Sequence, residues 1–160
     1  MQIDATLLPA RGDDAVEILE NDHEVIKGLL NDLVSASGDR RKNVIEKLVG
    51  VLTIHNATEE NLVYPALNEV AGSKTESQHL YHETMEADLL LFELDSLLKA
   101  GDDAKFATKA ENFQKAVLHH IDEEENKALP RLQDVDAAQA ESLTESVKQF
   151  RSSLHFETAT

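Results

Sequence analysis

Two stretches of the sequence repeat the same spacing between a histidine and a carboxylate. His55 is followed four residues later by Glu59, and His120 is followed four residues later by Glu124. A proline stands ten residues after each of these histidines, so the two stretches form an internal repeat. Residues four apart on an α-helix lie on one face, one turn apart. Each pair can therefore chelate a metal ion.

Two lone histidines, His23 and His82, precede the two paired motifs, so that the order lone, paired is repeated along the chain. All four histidines occur at positions of apolar helical seams where leucine is expected. Burying two carboxylates and four imidazoles is costly unless a cation compensates them. The sequence therefore predicts a metal site with six ligands: His23, His55, Glu59, His82, His120 and Glu124.

The ligand types restrict the metal. The chain contains no cysteine, so the donors are nitrogen and oxygen atoms, which suit iron, manganese or zinc. Six ligands are too many for one tetrahedral zinc ion, and two metals fit better. If Glu59 and Glu124 both bridge and each metal takes two histidines, one position on each metal stays open. Dioxygen, peroxide or nitric oxide could bind there.

Helices must position these ligands, because the sequence shows no sustained period-two alternation typical of strands. Glycines and acidic caps mark the helix ends, and Gly72 with Ser73 closes the second helix. We expect a kink at Pro65. Helix one should begin at Asp13 or Asp14 and end before Gly38. Helices two, three and four should span about Arg40 to Val70, Thr75 to Ala100 and Asp103 to Ala128. A fifth helix should begin at about Asp136.

The seams separate neighbouring candidates. In the fourth helix, His120 is in phase with the apolar seam, whereas His119 and Glu123 fall on a more polar face. In the third, His82 shares a seam with Met85, Leu89 and Phe92. Two alternative ligands stay open: Glu60, which ranks second to Glu59, and His79, which lies one turn before His82. The Glu-x-x-His spacings that precede His23 and His79 are also found in ferritin-like proteins, which is a less favoured interpretation. Tyr64 and Tyr81 are interpreted as packing residues.

Length and charge limit the class of protein. With 160 residues the chain is the size of one domain, here divided into an N-terminal arm (1–12), a four-helix bundle (13–131) and a connection with a C-terminal helix (132–160). That last helix could pack on the bundle or mediate dimerisation. A net charge of −16 disfavours nucleic acid and anionic lipid as partners. We expect a cytoplasmic monomer or homodimer that does not insert into membranes.

The residues from about Asp22 to Leu132 resemble the hemerythrin-like HHE proteins, of the H-HxxxE-H-HxxxE variety. The prolines six residues after Glu59 and Glu124 belong to the same likeness. The resemblance implies an all-α, up-down-up-down four-helix bundle with an additional C-terminal helix. It also implies an oxo- or hydroxo-bridged di-iron centre in which the two glutamates bridge.

The same resemblance implies a function connected with oxidative stress. The matching residues do not include the further histidine and aspartate of oxygen-carrying hemerythrins, and the 160 residues contain no cysteine, which the iron-centre repair members carry in an additional region. Similar small bacterial proteins are associated with peroxide decomposition and nitric oxide handling. We expect a catalase-like reaction with hydrogen peroxide; the alternative is a module that binds or senses oxygen, nitric oxide or iron without turnover.

Overall fold

The computed structural model describes residues 2–70 and 74–157, and it confirms the all-α prediction. The predicted end of the second helix at Gly72 and Ser73 lies outside the described residues. Helical segments occupy most of the chain: α1 (Ala15–Ser35), α2 (Asp39–Thr58), π1 (Glu59–Val63), α3 (Tyr64–Glu69), α4 (Lys74–Ala100), α5 (Asp103–Glu123), π2 (Glu124–Ala128), α6 (Leu129–Leu132) and α7 (Ala137–Ser153).

Aspartates begin three of the helices. The side chains of Asp14, Asp102 and Asp136 accept hydrogen bonds from backbone N–H groups three residues on, at the starts of α1, α5 and α7. Such caps satisfy backbone donors that have no partner within the helix. Sequence alone therefore placed these helix starts to within one or two residues.

Four long helices form a bundle. Helix α1 packs against α2 and α5, and α4 packs against the same two helices, which closes the ring. The largest apolar cluster fills one part of the bundle and includes the fully buried Leu30, Leu48 and Phe113. A second cluster, with Leu19, Leu67 and others, lies beyond the polar centre. No helix in the described ranges is both long enough and apolar enough to cross a membrane.

Both paired motifs run into a π-helical turn just before a proline. Tyr64 N–H bonds to Glu59 O and Leu129 N–H bonds to Glu124 O, each five residues back. The side-chain amides of Asn61 and Asn126 donate to backbone carbonyls four residues back, at 2.7 and 2.9 Å. The kink expected at Pro65 is thus expressed as a widened turn, a feature common at functional sites.

The phase of α4 differs from the sequence prediction. Its buried face consists of Ser77, Leu80, Thr84, Ala87, Leu91 and Leu94. Met85, Leu89 and Phe92, predicted to line the core with His82, are 61–69% exposed. The buried face includes the small or polar residues Ser77, Thr84 and Ala87, whereas the exposed face carries large apolar side chains. A prediction from hydrophobicity alone therefore selected the exposed face.

The fifth long helix packs on the bundle. Val147 of α7 is fully buried against Ala15 and Ile18 of α1, so this helix packs on the bundle, the first of the two placements considered from the sequence. After α7, a short strand β2 (His155–Glu157) pairs antiparallel with β1 (Gln2–Asp4), with Ile3 opposite Phe156. No periodicity predicted this two-stranded pair, because three residues are too few to show one.

Candidate metal centre

Five of the six predicted ligands meet inside the bundle. Their exposed fractions range from 0 to 7%. They come from five different segments: α1 supplies one residue, α2 with π1 supplies a pair, and α5 with π2 supplies the equivalent pair. The five residues are His23, His55, Glu59, His120 and Glu124.

Each imidazole presents its Nε2 atom to a carboxylate oxygen. His23 Nε2 lies 3.2 Å from Glu124 Oε2, and His55 Nε2 lies 3.2 Å from Glu59 Oε1. His120 Nε2 lies 3.3 Å from Glu124 Oε1. The two oxygens of Glu124 therefore face different histidines, as expected of a carboxylate that bridges two metal ions.

The opposite nitrogen of each ring contacts a second carboxylate. His23 Nδ1 lies 3.0 Å from Glu125 Oε1, and His120 Nδ1 lies 3.0 Å from Glu83 Oε2. His55 Nδ1 lies 3.3 Å from Asp22 Oδ2. Such outer carboxylates hold the Nδ1 proton and leave the Nε2 lone pair free, which is the usual arrangement around metal-bound histidines.

This tautomer leaves acceptors facing acceptors. When each Nδ1 proton is held by its outer carboxylate and both glutamates are ionised, the Nε2 lone pairs of the histidines point at carboxylate oxygens that also only accept. Among the residues that the structure describes, four buried side-chain polar atoms make no hydrogen bond, and three belong to the cluster: His23 Nε2, Glu59 Oε1 and Glu124 Oε2. A cation between them satisfies all three, so the donor set fits a metal.

A sixth group completes the cluster, although it was predicted only to pack. The Tyr64 hydroxyl is buried and lies 2.7 Å from Glu124 Oε1, 3.1 Å from Glu59 Oε2 and 3.3 Å from His120 Nε2. Residues five apart lie roughly 140° apart around an α-helix. The π turn between Glu59 and Tyr64 brings them to one side, a change of phase that α-helical periodicity could not reveal.

The donors divide into two groups. One ligand atom from each of His23, His55, Glu59 and Glu124 lies within 4.8 Å of the others. We call this group half A. The other oxygens of Glu59 and Glu124 face Tyr64 and His120, and these four residues form half B.

The predicted ligand His82 does not join half B. Its side chain is 68% exposed and forms an ion pair with the neighbouring Glu86, at 3.3 Å. The expected two histidines per metal therefore apply to half A alone. The physical reason is the phase of α4, which turns Leu80 and Thr84 inward and His82 outward. Neither alternative ligand enters the centre, since Glu60 and His79 are exposed.

The charges of neighbouring side chains in the cluster shift one another's pKa values. Burial, reinforced by the charge of Glu124, raises the pKa of Glu59 well above its usual range. Burial also acts to raise the pKa of Glu124, but His120 and His23 outweigh it and lower that pKa. Burial acts to lower the pKa of His120, yet Glu124, Glu83 and Glu59 raise it to about 11. Metal binding must displace such protons.

Helix α7 reaches the centre through a buried arginine. Both terminal nitrogens of Arg151 bond to the Asp22 carboxylate, and its Nε donates to Thr58 Oγ1 at 2.7 Å. Burial acts to raise the pKa of Asp22, but His55 and Arg151 lower it. The ionised Asp22 in turn accepts from His55. No sequence pattern identified this chain of contacts, because a single arginine on a helix usually faces solvent.

A cavity of about 20 Å³ adjoins the centre. His55 and His120 line it together with mostly apolar side chains, including Ile26, Leu52 and Val117. At this size it holds about one water-sized molecule. The space beside the centre is therefore limited to a molecule of about the size of water.

Comparison with known proteins assigns the fold and site to a family. The model of the hemerythrin HHE cation binding domain matches residues 14–132. The chain belongs to this family. An HHE domain binds metal cations, and the buried histidine and glutamate cluster supplies the donors for one.

A solved HHE structure supports the assignment. The hemerythrin HHE cation binding domain-containing protein from Mycobacterium kansasii is 26% identical, with a TM-score of 0.71. The match covers 89% of this chain and 90% of that protein. No curated protein matches the sequence significantly.

Proposed function

We propose that this HHE protein binds two iron ions and decomposes hydrogen peroxide in a catalase-like reaction. One observation carries the proposal: three buried imidazoles turn Nε2 toward two shared carboxylates while Nδ1 of each faces a separate carboxylate. The four oxygens of Glu59 and Glu124 face two different groups of donors, which suits two cations better than one. Imidazole and carboxylate donors without thiolate suit iron.

Half A and half B would hold one iron each, with Glu59 and Glu124 shared. Half A offers two imidazoles, whereas half B offers one imidazole and the Tyr64 hydroxyl. The bound iron pair would supply the redox chemistry for disproportionation, in which one peroxide is oxidised to dioxygen and another is reduced to two waters. The protein keeps the ligands in fixed orientations through Glu83, Glu125 and Asp22.

The surroundings favour a small, uncharged reactant. The cavity beside His55 and His120 admits one molecule of about the size of water. Its apolar walls exclude bulk water, which limits the escape of reactive species. The acidic surface neither attracts nor repels peroxide, because peroxide is uncharged at neutral pH.

Tyr64 holds a proton at the centre. Burial, followed by the charges of Glu59 and Glu124, raises the pKa of the Tyr64 hydroxyl well above its usual range in the metal-free protein. The hydroxyl therefore donates to Glu124 Oε1 rather than ionising. A cation in half B would reverse this preference, because it stabilises the phenolate.

Oxygen release on mixing peroxide with iron-loaded protein tests the proposal. We expect release well above that of an equal amount of free iron, and loss of most of it in Glu124→Ala. The matched control is Glu60→Ala, one residue after Glu59, exposed and outside the centre. Reversible oxygen or nitric oxide binding without turnover would instead support the second candidate, a binding or sensing module. Fewer than about one iron per chain after loading would contradict both.

A further inference from the structure

Two of the three His-x3-Glu pairs outside the buried centre face each other. His79 and Glu83 are four residues apart on α4, and His119 and Glu123 are four residues apart on α5. Their spacing equals that of the two pairs in the centre. Helices α4 and α5 pack against each other, and the two outer pairs face one another across this contact.

The donor atoms of these pairs converge. His79 Nε2 lies 2.9 Å from Glu123 Oε2 and 3.3 Å from Glu83 Oε1. His119 Nε2 lies 3.5 Å from the same Glu83 oxygen. One ligand atom from each of His79, Glu83 and Glu123 falls within 4.8 Å of the others. Donors bound to one tetrahedral zinc ion at its usual bond lengths are about 3.2–3.5 Å apart.

The two carboxylates are held in place by contacts on their other oxygens. Glu83 Oε2 faces His120 Nδ1 at 3.0 Å, and Glu123 Oε1 pairs with the Lys127 ammonium. Glu83 and Glu123 are only 12% and 14% exposed, while the two imidazoles are more than half exposed. The contacts with His120 and Lys127 thus orient the two carboxylates, and the two exposed imidazoles lie on the solvent side of the site.

We infer that His79, Glu83, Glu123 and His119 form a second cation site at the α4–α5 surface. It takes one divalent first-row transition ion with nitrogen and oxygen ligands, and zinc is the appropriate probe. The ligand atoms differ from all those of halves A and B, so the inference does not depend on the proposed peroxide chemistry. It gives a role to the pair His119 and Glu123 and to His79, which the buried centre leaves unused.

Zinc titration of the iron-loaded protein tests the site. Equilibrium dialysis at neutral pH, with zinc and iron both counted, should show one zinc per chain bound without loss of iron. His79→Ala and Glu123→Gln should each weaken zinc binding at least about tenfold, since each removes a donor.

The matched control is His82→Ala. His82 and Glu86 form another His-x3-Glu pair on α4, and in the described part of the chain no second pair lies opposite them. This variant should bind zinc as tightly as the unaltered protein. Equal weakening in His82→Ala and His79→Ala would mean scattered binding by surface histidines and would overturn the inference. Zinc uptake that occurs only as iron is released would overturn it as well.

Discussion

The Tyr64 hydroxyl contacts all three of the other side chains in half B. Tyr64→Phe removes one donor and leaves the ring packing in place. We expect the variant to fold normally and, if two metals bind as proposed, to lose affinity for the half B metal by about 10–100-fold, a loss typical of altered metal surroundings. Elemental analysis after dialysis should show metal falling from two atoms toward one per chain.

Tyr81→Phe is the control for this change. The Tyr81 ring lies edge-on to Tyr64 at 4.8 Å, but its hydroxyl donates to the backbone carbonyl of Glu60, away from the centre. This variant should keep both metals. If Tyr64→Phe also keeps both at full affinity, Tyr64 is a packing residue and half B needs another donor.

Three histidines on two helices give a second test of the centre. His120→Ala should lose metal from half B, because its Nε2 faces the bridging Glu124. His119→Ala and His82→Ala should keep the iron, since both side chains are well exposed and outside the cluster. Iron counts per chain in the three variants provide the measurement. Equal losses at His119 and His120 would show that the inward pair is misassigned.

Residue types and spacing predicted most of this centre but not all of it. The regular apolar seams of α1, α2 and α5 place His23, His55 and His120 inward without ambiguity. His82 was misplaced because α4 has a second, more apolar stripe that faces solvent. Tyr64 was missed because its approach to Glu59 depends on a π turn, which changes the helical phase only locally.

At the scale of elements, α7 holds the orientation of His55 through Arg151 and Asp22. Arg151→Met leaves the Asp22 carboxylate buried without its cation, and we expect a loss of about 3–5 kcal/mol in the free energy of unfolding. Asp22→Asn combined with Arg151→Met should recover a large part of that loss, because the amide oxygen still accepts from His55 and carries no charge. Urea unfolding of the metal-free proteins measures both values.

Arg40→Met serves as the comparison for this pair. Arg40 forms an ion pair with Asp32 at 2.6 Å, but its side chain is 62% exposed. Its removal should change stability by less than about 1 kcal/mol. A similar small effect in Arg151→Met would mean that α7 contributes little to the centre.

The helices themselves were largely predictable. Three aspartate caps, the glycines between helices and the two prolines set their ends within a few residues. The π turns were anticipated only as a kink at Pro65. In retrospect both repeats contain an asparagine four residues before the proline, and each amide bonds to a carbonyl of the preceding turn. That shared asparagine is the sequence signal for the widened turn.

For the whole molecule, the centre makes stability depend on pH in the metal-free state. The pKa of His120 is raised to about 11 in the folded protein, against an ordinary value of 6.5. Its contribution to stability is therefore complete below about pH 6.5 and is lost as the pH rises toward 11. The difference in unfolding free energy between the metal-free protein and His120→Gln should shrink over this range, by at most about 1.4 kcal/mol per pH unit.

Urea unfolding at several pH values between 6 and 9 measures this difference. His82→Gln is the control, because it is an exposed substitution expected to matter by less than about 0.5 kcal/mol at every pH. A constant difference for His120→Gln across the range would show that His120 does not hold its proton in the folded state. Metal affinity should follow the opposite trend and rise with pH, because protons compete for the same atoms.

The contacts of Arg151 also determine the order in which the centre can be completed during synthesis. Arg151 meets Asp22 and the carbonyl of Leu8 across sequence separations of 129 and 143 residues, in a fold whose other helix contacts are mostly shorter in range. Ribosomes add about 5–20 residues per second, so His55 and Glu59 emerge several seconds before Arg151. Until α7 docks, Asp22 lacks the partner that fixes it against His55. A nascent chain therefore carries His55 and Glu59 before Asp22 can orient His55, and we expect accurate metal loading to follow the docking of α7.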